Sequence, residues 1–141
     1  MSLFAIADLH LSLGVDKPMD VFPGWENYVA RLTENWRREV RPEDTVVIAG
    51  DISWGLDISE SEKDFAFLDS LPGTKLLLKG NHDLWFSTKT KVEKFFTEKG
   101  FSTLKILFNN AYSYGEYALC GTPGRENDQA DKKVLLRECG R

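Results

Sequence analysis

The chain has 141 residues, a formal net charge of -4 and a sequence pI of about 5.2, and 42% of its residues are hydrophobic. This is enough for one domain with a hydrophobic core. The acidic balance argues against strong binding to a nucleic-acid backbone or an anionic membrane, because both need clustered positive charge. No apolar run is long enough for a signal peptide or a membrane span. Cys120 and Cys139 have no repeated spacing and are predicted to be free thiols, so we expect a cytoplasmic protein.

Strands and helices are predicted to alternate from the start of the chain. An apolar run over residues 2–7 predicts a strand buried on both faces. Residues 11–24 contain two prolines and two glycines and are predicted to form an irregular loop. Apolar residues at helical spacing from Trp25 to Trp36 predict a helix, and the run over residues 45–49 predicts the second strand. The first two strands are thus joined by a helix.

The same alternation continues through the middle of the chain. A second helix, capped by Ser59 or Ser61, is predicted to lead into a third strand over residues 75–79. A third helix is predicted to be capped by Ser87 and to end at Gly100. Alternating strands and helices are typical of a mainly parallel sheet covered by helices, which is an α/β fold.

The last part of the chain has a different pattern. Residues 104–108 predict a fourth strand, and residues 112–114 with 117–120 predict a β-hairpin around Gly-Glu. A loop is expected over residues 122–129, followed by a short charged helix over residues 131–138. The hairpin adds an antiparallel, α+β-like part to the parallel sheet.

Polar side chains follow each of the first three predicted strands. Asp8 and His10 follow the first strand, Asp51 follows the second, and Gly80-Asn81-His82-Asp83 follows the third. Because the carboxyl ends of parallel strands lie at the same edge of a sheet, we expect these residues to converge there. The carboxylate oxygens and imidazole of the first two motifs suit Mn, Fe or Zn and, less well, Mg. The sequence therefore predicts a metal site at this edge.

Each of these motifs also has a purely structural interpretation. Asp8 and His10 can cap the end of a strand, and Asp51 can cap a turn. The segment over residues 80–83 can be a tight turn in which Asn81 takes a left-handed conformation. Three such motifs after three successive strands favour the metal site over these alternatives.

The three motifs, in this order and each after a strand, resemble the first three signature segments of the calcineurin-like metallophosphoesterase superfamily. The resemblance implies a two-sheet β-sandwich with helices packed outside. It also implies hydrolysis of phosphomonoesters or phosphodiesters by a hydroxide that two metal ions activate. By this resemblance, Asp8 and His10 hold the first ion, Asp51 bridges both ions, and Asn81 holds the second.

The same resemblance implies that His82 contacts the substrate phosphate and helps to protonate the leaving oxygen, with Asp83 orienting it. Family members carry two further segments, Gly-His and Gly-His-x-His, whereas His10 and His82 are the two histidines of this sequence. We therefore expect residues 1–141 to be the amino-terminal portion of a phosphoesterase domain, and a partial sandwich, with one well-held ion and impaired hydrolysis. Missing strands would uncover an apolar sheet face, so we expect self-association.

Three further residues are weaker candidates for substrate binding. Trp54 and Trp85 are expected either to wall the site and stack on a flat substrate or simply to cover the core. Arg125 is expected either to bind phosphate through its guanidinium group or to be solvated. The leading hypothesis is a metal-dependent phosphoesterase that acts on a phosphate ester. The alternative is a catalytically silent metal-binding or interaction module on the same scaffold.

Overall fold

The structure, a computed structural model, describes residues 1–123. In chain order its elements are β1 (Leu3–Ile6), α1 (Tyr28–Glu39), β2 (Thr45–Ile48), α2 (Glu62–Ser70), β3 (Thr74–Leu77), α3 (Lys89–Lys99), β4 (Leu104–Ile106), β5 (Asn110–Tyr114) and β6 (Tyr117–Gly121). The first four strands form a parallel sheet in the order β1-β2-β3-β4, and β5 pairs antiparallel with β6. The predicted α/β class with an added hairpin is confirmed. The predicted helix over residues 131–138 lies outside the described residues.

One face of the sheet carries the main hydrophobic core. Each helix joins two neighbouring parallel strands, and right-handed crossovers place helices joined in this way on the same face. The strand register aligns Ile6, Ile48, Leu77 and Ile106 in one row across the sheet. This row packs in one cluster with side chains from all three helices, among them Trp36, Phe65, Leu68, Val92 and Phe96. Burial of this row fixes the level at which the strands end.

The opposite face of the sheet is apolar but only partly covered. Leu76 is buried on this face, whereas Leu3 is 42% exposed and Ala5 is exposed. The prediction that β1 is buried on both faces is therefore wrong, because β1 is an edge strand whose second face has little packed against it. The β5-β6 hairpin reaches the start of the chain, where the Tyr114 hydroxyl donates a hydrogen bond to the Met1 carbonyl oxygen over 3.1 Å.

Two helix starts differ from the sequence predictions. Helix α1 begins at Tyr28 rather than at Trp25, because Asn27 has a left-handed backbone with φ of 53° that interrupts the helix. Helix α3 is capped by Thr88 rather than by Ser87, since the Lys91 backbone N–H donates to the Thr88 hydroxyl. The shift of α1 leaves Trp25 outside the helix, where it packs close to the polar edge of the sheet.

Candidate metal centre

The candidate site forms where the chain leaves β1, β2 and β3 at the carboxyl edge of the sheet. The segments after β1 and β2 stay paired beyond the strands themselves. The Asp8 backbone N–H donates to the Gly50 carbonyl oxygen over 3.1 Å, and the His10 N–H donates to the Asp51 carbonyl oxygen over 2.9 Å. An isolated parallel bridge then joins Leu11 to Ser53. This pairing holds Asp8, His10 and Asp51 side by side.

The side chains of these three residues converge. One oxygen of Asp8, one ring nitrogen of His10 and one oxygen of Asp51 all lie within 4.8 Å of one another. The His10 Nε2 atom is 3.7 Å from Asp8 Oδ1 and 3.8 Å from Asp51 Oδ2. Ligands about 2.1 Å from a tetrahedral ion are roughly 3.4 Å apart, so a small inward movement would bring these atoms into coordination distance. The donor set and its spacing therefore fit a divalent ion of the Mn, Fe or Zn type.

The same three residues have unusual backbone conformations. Asp8, His10 and Asp51 have φ values of 56°, 45° and 51°, in the left-handed region that non-glycine residues rarely adopt. Such conformations cost of order 1 kcal/mol or more each and persist where surrounding structure enforces them. Asn81, in contrast, is not among the left-handed residues of the described chain, so the simple left-handed turn considered for residues 80–83 is not what forms.

Two glycines allow the second and third motifs to approach each other. A Cβ atom on Gly80 would lie 2.1 Å from Asp51 Oδ1 and 2.3 Å from the Asp51 backbone nitrogen. A Cβ atom on Gly50, which has φ of 95°, would lie 2.7 Å from the Gly80 Cα atom. Neither position has room for any side chain. The glycine of each motif is therefore needed to bring Asp51 next to the segment that carries His82.

His82 is held by Asp51. The His82 backbone N–H donates to Asp51 Oδ1 over 3.0 Å, and the ring Nδ1 lies 2.8 Å from Asp51 Oδ2. Burial raises the pKa of Asp51, but the hydrogen bonds from His82 and the nearby His82 and His10 charges outweigh burial, so the pKa of Asp51 is lowered. The His82 side chain stays 50% exposed. An ionised Asp51 thus contacts both imidazoles while His82 remains open to a ligand.

Asp83 lies next to His82 in the chain, and the hydrogen bonds of its carboxylate go to other groups. Its buried carboxylate accepts hydrogen bonds from four N–H groups: the backbone of Ile52 (2.8 Å), Ser53 (3.3 Å) and Gly80 (2.7 Å), and the Trp85 indole (2.8 Å). These bonds tie the segment after β2 to the segment after β3. Asp83 therefore fixes the backbone of the segment that carries His82.

Aromatic side chains enclose the His10 ring. It stacks on Trp54 with ring centroids 4.9 Å apart, and the Trp25 ring lies edge-on at 6.1 Å. The Tyr28 hydroxyl donates to the His10 carbonyl oxygen over 2.9 Å. Burial, with smaller contributions from nearby carboxylates, raises the pKa of Tyr28 to about 12, so this hydroxyl stays protonated at neutral pH. His10 is thus fixed by groups from three segments.

The three weaker candidates for substrate binding lie in different surroundings. Trp54 lies at the site, but His10 covers one part of its ring and the Lys17 ammonium lies 4.6 Å from its centroid. Trp85 is 2% exposed and packs edge-on against Phe65 in the core, so it has no surface for a substrate. Arg125 lies outside the described residues.

Sequence reasoning missed two residues that support the site. The apolar spacing that predicts α1 does not indicate a polar role for Tyr28, yet its hydroxyl donates a hydrogen bond to the His10 carbonyl oxygen. Asp64 of α2 is fully buried, although acidic side chains on helices are mostly solvated. Its carboxylate accepts hydrogen bonds from the Leu13 backbone (2.8 Å) and the Ser53 hydroxyl (2.5 Å). The acidic spacing of α2 gave no signal of this, because the burial depends on the loop over residues 11–24 folding onto the helix.

The fold and this cluster define a mixed α/β protein with a candidate metal centre at the carboxyl edge of a parallel sheet. A family profile described as calcineurin-like phosphoesterase matches residues 1–134. The chain therefore belongs to the calcineurin-like phosphoesterase family, and its function is of the metallophosphoesterase type. No match to a curated protein was found.

Two solved structures are similar to the chain. A protein of unknown function, AQ665, from Aquifex aeolicus is 20% identical with a TM-score of 0.52, and the match covers 98% of this chain and 72% of that one. The phosphopantetheinyl hydrolase PptH from Mycobacterium tuberculosis is 14% identical with a TM-score of 0.46, over 97% of this chain and 50% of that one. At 20% identity, the similarity to AQ665 supports only the assignment of the fold. The similarity to PptH is too weak to support any assignment. Within residues 1–123, no helix is long and apolar enough to cross a membrane.

Proposed function

We propose that the chain is a metal-dependent phosphoesterase domain whose first ion is held by Asp8, His10 and Asp51. The supporting observation is the convergence of three donor atoms within 4.8 Å at the carboxyl edge of the sheet. Two carboxylates this close repel each other, and a divalent cation between them removes that repulsion. Mn, Fe and Zn are the ions that this mixture of oxygen and imidazole donors favours.

Asp8, His10 and Asp51 would hold this ion, which would supply the Lewis-acid chemistry that phosphate ester hydrolysis needs: polarisation of a phosphoryl oxygen and a lower pKa for water. His82 is the group of this chain that acts on the substrate. Its half-exposed ring is held at Asp51, and a protonated imidazole there donates a hydrogen bond to a phosphate oxygen and then a proton to the leaving oxygen. Asp83 keeps this ring in place through the backbone of residues 80–83.

We further propose that a second ion, where present, uses Asp51 and Asn81. These two residues supply one carboxylate and one amide oxygen, which is fewer protein ligands than the first site has. With these ligand sets one ion would be well held and the second weakly held, so hydrolysis by residues 1–141 would be impaired. Both phosphomonoesters and phosphodiesters are compatible with this arrangement.

Metal binding by Asp51 is tested with Asp51→Asn, which keeps the shape of the side chain but removes its charge. Binding of Mn²⁺ is measured by calorimetry on the purified chain. We expect the variant to bind Mn²⁺ at least about tenfold more weakly, because one of two carboxylates of the site is lost. Glu43→Gln is the matched control: Glu43 is exposed and precedes β2 at the opposite end of the sheet, so its loss is expected to leave affinity unchanged.

A hydrolysis assay on a generic aryl phosphate with added Mn²⁺ separates the enzyme from the silent module. The enzyme hypothesis expects weak hydrolysis that Asp51→Asn abolishes, whereas the silent module binds Mn²⁺ without turnover. Hydrolysis unaffected by Asp51→Asn, or Mn²⁺ affinity equal in the variant and the original chain, would contradict the proposed ligand set.

A further inference from the structure

A cavity of about 310 Å³ lies directly beside the candidate metal centre. We call it the Trp25 cavity. The residues that line it come from the end of β1, the following segment, the loop before α1 and the first turns of that helix; they include Ile6, Asp8, Trp25, Tyr28, Arg31 and Leu32. Its volume is at the lower end of the range for small-molecule sites, which suits one or two fused rings.

Asp8 belongs both to the Trp25 cavity and to the metal centre. Its side chain is 65% exposed, and its carboxylate is one of the three groups that converge with His10 and Asp51. A phosphoryl group bound at the centre therefore has this cavity as its immediate neighbour. The part of the substrate attached to the phosphate needs such a space.

Trp25 is the tryptophan that lines this cavity. The Trp54 ring is already in contact with His10 and Lys17, and Trp85 is buried in the core. The Trp25 and Tyr28 rings meet at a centroid distance of 5.0 Å and an angle of 71°, which forms an aromatic corner. Since the Tyr28 hydroxyl is bound to the His10 carbonyl oxygen, Tyr28 contributes ring carbons rather than a free polar group to its surroundings.

Arg31 adds a positive charge to this aromatic corner. One guanidinium nitrogen, Nη2, donates to the Gly24 carbonyl oxygen over 2.7 Å, which anchors the exposed side chain at the cavity. A guanidinium group beside an aromatic corner favours an electron-rich π system over a saturated group of the same size. Apolar and aromatic walls with one anchored cation therefore select for a flat, electron-rich ring.

We propose that the Trp25 cavity binds the leaving group of the substrate and that this group is a planar aromatic alcohol. The inference rests on the proposed phosphoesterase function, and it names the class of ester that this site takes: an aryl phosphate rather than an alkyl phosphate. Trp25 and Tyr28 contact the ring, Arg31 interacts with its π electrons, and Leu32 limits its size.

The first test needs no metal and no turnover. The four tryptophans give four indole N–H signals in an ¹⁵N-correlated NMR spectrum, and single Trp→Phe variants assign them. Phenol is titrated into the metal-free chain and compared with cyclohexanol, a saturated group of similar size. We expect phenol to shift the Trp25 signal and to bind about fivefold more tightly than cyclohexanol. The signals of the buried Trp36 and Trp85 are internal controls that should not move.

Two variants tie this binding to the cavity. Leu32→Phe narrows the cavity and is expected to weaken phenol binding by about tenfold, whereas Arg31→Gln removes the cation from an exposed position and is expected to weaken it by about threefold. An unmoved Trp25 signal, equal shifts of all four signals, or equal affinity for phenol and cyclohexanol would overturn the proposal.

A second test adds Zn²⁺ and compares phenylphosphonate with methylphosphonate, two analogues that are not hydrolysed. We expect phenylphosphonate to bind more tightly and to shift the Trp25 signal, which methylphosphonate should leave in place. If Zn²⁺ does not bind but phenol shifts Trp25, the cavity binds aromatic rings, but the metal proposal fails and with it the assignment of the ring as a leaving group. If Zn²⁺ binds and neither phenol nor phenylphosphonate shifts Trp25, the metal proposal stands and the cavity proposal fails.

Discussion

Asp51 and Asp83 are two carboxylates of the same sheet edge with opposite surroundings. Asp83 is completely buried, and four N–H donors point at its oxygens. Asp51 is also nearly buried, but the groups around it are two imidazole rings, the exposed carboxylate of Asp8 and one backbone N–H. A carboxylate surrounded by N–H donors is satisfied and serves structure, whereas one surrounded by other metal-binding groups is left for a cation. The identity of the neighbouring donors, more than burial, separates the two roles.

The largest effect on stability is expected from Asp83→Ala. This substitution leaves four N–H groups without their acceptor, three of them on the backbone, so we expect the free energy of unfolding to fall by about 3 kcal/mol or more. Asp83→Asn should cost nearly as much, because an amide presents its own N–H groups to some of those donors. Urea denaturation of the metal-free protein measures both.

The stability of the Asp83 variants is compared with that of Asp51→Asn. Asp51 accepts two hydrogen bonds from His82, one at each carboxylate oxygen. The single amide oxygen of asparagine keeps one of them, so we expect the free energy of unfolding to fall by about 1 kcal/mol or less. Equal losses at Asp51 and Asp83 would show that the two carboxylates do not differ in the way proposed.

An intermediate effect is expected at Asp64, which has two hydrogen-bond donors rather than four. Burial raises the pKa of Asp64, and the hydrogen bonds from Ser53 and Leu13 only partly oppose this. Between the ordinary pKa of 3.8 and the raised folded value, the folded state binds more protons than the unfolded state, so this carboxyl group lowers stability as the pH rises through that window. Asp64→Asn cannot titrate and is expected to cost about 1 kcal/mol near pH 4 and less at pH 7.

Denaturation curves at both pH values check this expectation. The relevant quantity is the difference between the original chain and the variant, because other carboxyl groups, such as Asp51 with its lowered pKa, contribute the opposite slope to both proteins. A difference that grows from pH 4 to pH 7 would have the wrong sign for a raised pKa.

The last comparison concerns Asp8, the exposed carboxylate of the candidate metal centre. Asp8→Gly and Asp8→Ala remove the same charge, but only glycine accepts a φ of 56° without strain. We therefore expect Asp8→Gly to be more stable than Asp8→Ala by about 1 kcal/mol, with Mn²⁺ affinity reduced equally in both. Equal stability of the two variants in thermal denaturation would mean that the left-handed backbone at this position is not strained.

Much of the fold could be predicted from local sequence patterns. Apolar runs followed by polar motifs located β1 to β3, and Gly100 ended α3 where its φ of 74° requires glycine. The exposure of β1 could not be predicted, because it depends on which strand lies at the edge of the sheet. The sequence also could not distinguish Thr88 from Ser87 as the cap of α3, because both side chains have a hydroxyl and packing sets where the helix starts.

The site was predictable in its members but less so in their roles. The order of the motifs brought Asp8, His10 and Asp51 together, as the geometry of parallel strand ends requires. The tryptophans could not be sorted from sequence: Trp54 follows the second motif and Trp85 the third, yet one contacts His10 and the other fills the core. Their directions depend on how each loop turns after its strand, which residue type does not determine.

The left-handed backbone of Asp8, His10 and Asp51 has an evolutionary consequence. Glycine would adopt the same backbone conformation without strain at Asp8 and His10, so mutation to glycine there relieves strain but removes a candidate metal ligand. A lineage with no use for the ion would be expected to accept those exchanges and lose the cluster. Three left-handed, non-glycine residues at one sheet edge therefore favour the proposed metal site over a purely structural scaffold.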